Sequence, residues 1–138
     1  MSHGDLRQVM APVNARIVEL TAVVKLGNGG AIGTGATDVD CIGFSLAKVG
    51  GEAGRYRATL HHKFRKLRYA HCVVEGAADA AAAAAKGQVA MLRNVDVANK
   101  TLDFQIVTPS LAAGASVDVE PEDGATLRFI IVLDAGKY

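Results

Sequence analysis

"GRYRATLHHKFRKLRYAHC", residues 54–72, is the stretch on which the fold turns. Its first part alternates. Tyr56, Ala58 and Leu60 point one way, and Arg55, Arg57 and Thr59 the other, as in a half-buried strand. "RYAHCVVEG" (68–76) alternates again, with Tyr69, His71 and Val73 on one face and Ala70, Cys72 and Val74 on the other. "HKFRKL" (62–67) between them reads as a short connector. These nineteen residues hold six of the fifteen Lys and Arg, three of the four His, one of the two Cys and three of the seven aromatic residues. Such crowding fits a metal site, a nucleic-acid surface, a catalytic centre, or two plain strands with basic outer faces.

Outward from this stretch the pattern stays β. "VNARIVELTAVVKLG" (13–27) is rich in β-branched residues and ends at the glycine-rich loop "GNGGAIGTGATD" (27–38). "VDCIGFSLAKV" (39–49) is strand-like and is followed by the turn "GGEAG". "QVAMLRNV" (88–95), "TLDFQIVT" (101–108) and "ATLRFIIVLD" (125–134) supply three more strands, with "DVANK" as a tight connection. In the middle one, Leu102, Phe104 and Ile106 are predicted to face inward, and Asp103 and Gln105 outward. "AADAAAAAAKG" (77–87) is too short to be a secure helix and has no apolar face beyond methyl groups, so a helical turn and an irregular excursion both remain open. "PSLAAGASVDVEPEDG" (109–124) reads as a long loop. The expectation is an all-β chain: a single-domain β-sandwich or small β-barrel of about seven strands over 13–138, with a polar N-terminal arm over 1–12.

The bulk numbers narrow the function classes. A chain of 138 residues can build a core without a disulfide or metal staple. Its formal net charge of +1 gives no global pull toward nucleic acid or an anionic membrane, so any basic contact surface must be local. Cys41 and Cys72 are too few for a disulfide framework, and the chain reads as reduced and cytosolic in origin. No signal-peptide core and no apolar run of about 18 residues is present.

The chemical options weaken one by one. His61, His62, His71 and Cys72 are ligand types, but neighbours on a strand diverge, and no Cys-x-x-Cys or His-x-x-x-His spacing occurs; no metal or other cofactor is expected. Cys41 and Cys72 sit in apolar strand patterns, and Ser45 and Ser110 lack a nucleophile elbow, so no catalytic residue is expected. Asp38 and Asp40 would share a strand face but lack the spacing of a calcium loop. The glycine loop fails the dinucleotide fingerprint, because Ile32 stands where its third glycine belongs. Arg55, Arg57, Lys63, Arg65, Lys66 and Arg68, interleaved with Tyr56, Phe64 and Tyr69, make nucleic acid the most serious chemical rival. Against it, Tyr56 shares its face with Ala58 and Leu60, and the overall charge is balanced. A solvated basic edge and a patch that docks on an acidic protein are the other readings.

The order of elements resembles a family. "CIGFSLAKVGGEAGRYRATLHHKFRKLRYAHCVV", "KGQVAMLRNVDVANKTLDFQIVT" and "GATLRFIIVLDAGKY" look like small structural proteins of tailed bacteriophages. The matching features are Gly54, Tyr56 and Leu60, then Phe64 and Leu67, then Asp96, Lys100, Thr101 and Leu102, then the apolar run Leu127 to Leu133. The resemblance covers roughly residues 13–138. It implies a virion component without enzymatic activity, most simply a capsid decoration (cement) protein. Such a protein assembles in the host cytoplasm as a homotrimer and binds the major capsid protein on the outside of the head. Its candidate docking residues are Arg7, Gln8, Val9 and Met10 in the arm and Lys63, Arg65, Lys66 and Arg68 in the basic segment.

Overall fold

The computed structural model describes residues 15–32, 39–76, 88–110, 114–121 and 124–137. The arm at 1–12 and the alanine run at 77–87 lie outside the described residues. What is described is all-β, with nine strands in two antiparallel sheets. The strands are β1 (Ala15–Lys25), β2 (Val39–Cys41), β3 (Phe44–Lys48), β4 (Arg55–Leu60), β5 (Lys66–Glu75), β6 (Val89–Asp96), β7 (Thr101–Ser110), β8 (Ala115–Asp118) and β9 (Thr126–Lys137). The first sheet has the order β2-β1-β9-β5, and the second β3-β4-β7-β6, with β8 also paired to β7. Ala15 of β1 pairs with Lys137 of β9, so the two ends of the described fold lie side by side.

Nine strands stand where about seven were expected, for two physical reasons. The run 39–49 breaks at Ile42 and Gly43, and its halves belong to different sheets. Gly43 has φ 84°, and a Cβ there would collide with a Leu20 methyl group, so only glycine makes this corner comfortably. The other addition is β8, a short strand within the expected loop 109–124 that extends the second sheet alongside the far half of β7.

Period-two patterning builds the core between the sheets. The first sheet contributes Leu20, Ala22 and Val24 from β1, Cys72 from β5, and Leu127, Phe129, Ile131 and Leu133 from β9. The second contributes Phe44 and Leu46, then Tyr56, Ala58 and Leu60, then Leu102, Phe104 and Ile106. Phe104 and Phe129 meet edge to face across the layer with ring centroids 5.1 Å apart, an arrangement worth about 0.5–1.5 kcal/mol beyond burial. Phe64, expected as a connector aromatic, is buried in the same core.

The outward direction of Asp103 and Gln105 is as expected, but solvent does not reach them. Both are about 1% exposed. Arg55 and Arg57 of the neighbouring strand fold over Asp103, and the Gln105 amide donates to the carbonyl of Ala53 at 2.7 Å. The hairpin at 96–101 closes tightly: the Asp96 carboxylate accepts the backbone N–H of Asn99 at 3.0 Å and its side-chain amide at 2.7 Å. Lys100 takes the left-handed conformation there with φ 62°.

Candidate docking surface

The basic segment follows directly from the end of β4. The chain bends at His61 and His62, tucks Phe64 inward, and enters β5 at Lys66. The two histidines therefore sit on a bend, both exposed, and strand alternation does not govern them. Leu67 pairs with Leu133 and Tyr69 with Val132, so Arg68 is an extra residue, a β-bulge.

Two of the four predicted docking cations are held by the fold itself. Asp134 is fully buried, and its carboxylate accepts a hydrogen bond from the Arg65 guanidinium, with Arg68 3.7 Å away. The backbone N–H of Gly136 donates to the same carboxylate at 2.9 Å. The Arg65 hydrogen bond first, then the Gly136 N–H, hold the Asp134 carboxyl below the usual carboxylate range against the opposing effect of burial. Lys63 and Lys66 are exposed, and neither pairs with a carboxylate among the described residues. Arg7, Gln8, Val9 and Met10 lie outside the described residues.

The remaining cations are similarly engaged. Arg57 donates to Asp103 at 2.8 and 3.0 Å, and Arg55 at 2.8 and 3.2 Å. These bonds, Arg57 first, lower the Asp103 carboxyl. Lys48 meets Glu120 at 2.6 Å, and Arg128 meets Glu75 at 2.8 Å. Glu120 also accepts the backbone N–H of Gly54, joining the β3–β4 turn to the segment after β8.

The groups able to do nucleophilic chemistry are subdued. Burial pushes the Cys72 thiol up to about 12, and burial followed by the charge of Asp40 raises Cys41. Both cysteines are free. Among the described residues, no group of three His, Cys, Asp or Glu side chains could hold a metal ion. A half-open cleft of about 250 Å³ lies at the sandwich end, with Val18, Leu20, Leu60 and Leu133 in its walls and His62 and Lys63 at its lip. That is smaller than the pockets that usually take a drug-sized ligand.

The outer face of the first sheet is different in kind. Ile17 and Val23 on β1, Ile130 on β9, and Tyr69 and Val73 on β5 are all large apolar side chains turned to solvent. Register makes several of them neighbours: Tyr69 sits opposite Val132, and Ile130 lies between Thr21 and His71. The Tyr69 and His71 rings stack along the strand with centroids 6.2 Å apart. The alternation within "RYAHCVVEG" already separated Tyr69, His71 and Val73 from Ala70, Cys72 and Val74. Which set faced water was settled only by β9 pairing beside them.

Comparisons with protein-family models, with curated proteins and with solved structures find no match to this chain.

Proposed function

We propose that this chain is a virion structural protein: a decoration protein that binds the outside of a phage head and stabilises contacts between major capsid subunits. It does so by adhesion and without chemistry of its own. The observation that carries the reading is the open apolar face of the first sheet, since contiguous exposed apolar side chains on a folded domain usually mark an interaction surface. The order of motifs described from the sequence supplies the virion context.

The state of the basic residues favours a protein partner over nucleic acid. Phosphate binding needs cations free to displace counterions. Here Arg55, Arg57, Arg65, Arg68 and Arg128 face carboxylates of their own chain. Lys63 and Lys66 are left to meet acidic residues on a capsid neighbour, where rim charges guide encounter and register. Repetition around a shell turns many weak contacts into firm attachment, because each later contact is effectively intramolecular.

The test is cryo-EM of native particles with this protein located and counted. A copy number matching the major capsid subunits supports the reading. A handful of copies at the neck or tail, or absence from the particle, overturns it. Deleting residues 1–12 is expected to abolish occupancy while the domain stays folded, and full occupancy by the truncated protein would rule out the arm as a clamp.

A further inference from the structure

We infer that the outer face of the first sheet joins two copies of this chain face to face, about a twofold axis that crosses β1 midway along its length. The inference goes beyond the virion reading and does not depend on it.

The two outer faces differ in what is left over. On the second sheet, Asp103 and Gln105 occupy the centre and are already covered by their own neighbours. On the first sheet the centre is Ile130, 42% exposed, with Tyr69 at 53% and Val73 at 44% beside it. Nothing within the chain covers them.

The sheet edges point the same way. On the side where β5 and β6 approach one another, each edge strand carries a bulge whose extra residue is an arginine: Arg68 in β5 and Arg93 in β6. A charged bulge blunts an edge against strand addition. Association is thereby directed to a face.

Charge selects the occupant. Glu19 and Lys25 both project from the outer face of β1, both exposed, and neither has a partner among the described residues. Six positions apart on a strand, they are separated by about 20 Å. A twofold axis lying across the strands midway between them sets Glu19 of each copy over Lys25 of the other. The apolar centre then meets its own counterpart. An isologous contact requires a surface complementary to itself, and this one is so in both charge and apolarity. A face carrying one sign of charge would instead call for an oppositely charged partner. The threefold association that the resemblance implies needs a head-to-tail contact between two different patches.

The test is the mass of the full chain in solution, by light scattering and sedimentation equilibrium at about 100 μM, where a micromolar complex is well populated. The expected species has twice the 14.3 kDa of one chain. Ile130→Glu should give the single-chain mass with an unchanged circular dichroism spectrum. Glu19→Lys should weaken the dimer about tenfold or more by setting like charges opposite each other at both ends of the contact. The double variant Glu19→Lys with Lys25→Glu should restore it, because the two partners are exchanged together. Wild-type protein that is monomeric or trimeric overturns the inference. So does a dimer indifferent to Ile130→Glu, or a double variant no tighter than the single one.

Discussion

Replacing Tyr56 by Phe removes one buried oxygen and leaves the shape of the core intact. The Tyr56 side chain is fully buried, and its hydroxyl donates to the carbonyl of Gly30 at 2.5 Å. That bond ties β4 to the 3-10 turn at Asn28–Gly30, in the glycine-rich loop after β1. The lost hydrogen bond has a net value of about 0.5–1.5 kcal/mol, and a buried carbonyl left without its partner can raise the cost to about 1–3 kcal/mol. The expected loss is about 2 kcal/mol. With an unfolding entropy of about 2.1 cal/mol/K per residue, a chain this long loses about 7 °C in Tm. Urea unfolding at neutral pH should show a lower midpoint with an unchanged slope, because the same surface is exposed. A second readout uses pH. Burial first, then the charges of Glu120 and Cys72, push the Tyr56 phenol well above its ordinary value. The folded state therefore holds this proton more tightly than the unfolded state. Its contribution is complete below about pH 10 and is lost as pH rises beyond that toward the folded-state value. The Phe variant lacks that part of the alkaline decline. A variant as stable as the parent within about 0.5 kcal/mol, with the same alkaline limb, would refute the assignment.

Acid acts with the opposite sign. Asp103 and Asp134 are lowered by their arginine partners, so their contribution is present above about pH 4 and is lost as pH falls below it. Urea midpoints from neutral to strongly acidic pH should fall steeply there, and Asp103→Asn should flatten the decline. Native Cys72, with its thiol near 12, should resist a water-soluble disulfide reagent that labels it rapidly in urea. Gly54 has φ 66°, and the Val119 carbonyl occupies the place of a Cβ, so Gly54→Ala should cost about 2 kcal/mol or more by denaturant unfolding. On particles, Lys63→Glu with Lys66→Glu should lower occupancy at unchanged Tm, whereas Arg65→Ala should also lower Tm because it uncovers Asp134.

Strand identity was legible wherever alternation ran unbroken, as at Tyr56, Ala58 and Leu60. It failed where the backbone departs from simple alternation. Lys66 and Leu67 were read as connector although they begin β5, because the extra residue at Arg68 breaks the period there. Phe64 has no periodic neighbour to announce its burial. Asp103 and Gln105 show a limit of another kind: alternation gives direction, but coverage of the outer face depends on which strand lies alongside. Only the β4–β7 register, with Arg57 opposite Asp103, closes that side. The docking candidates divide for the same reason. Nothing near Arg65 or Arg68 in the sequence signals Asp134, which reaches them from β9.

The adjacency of Ala15 and Lys137 governs how the domain would bear load. If the two ends were pulled apart, force would concentrate on one pair of ladder bonds at a time, and β1 would unzip from β9. Tension entering through residues 1–14 while the body is held by its broad face would run along β1 instead. The long ladder to β9 and the shorter one to β2 would then resist together, in shear. The same hydrogen bonds are weak in the first geometry and strong in the second.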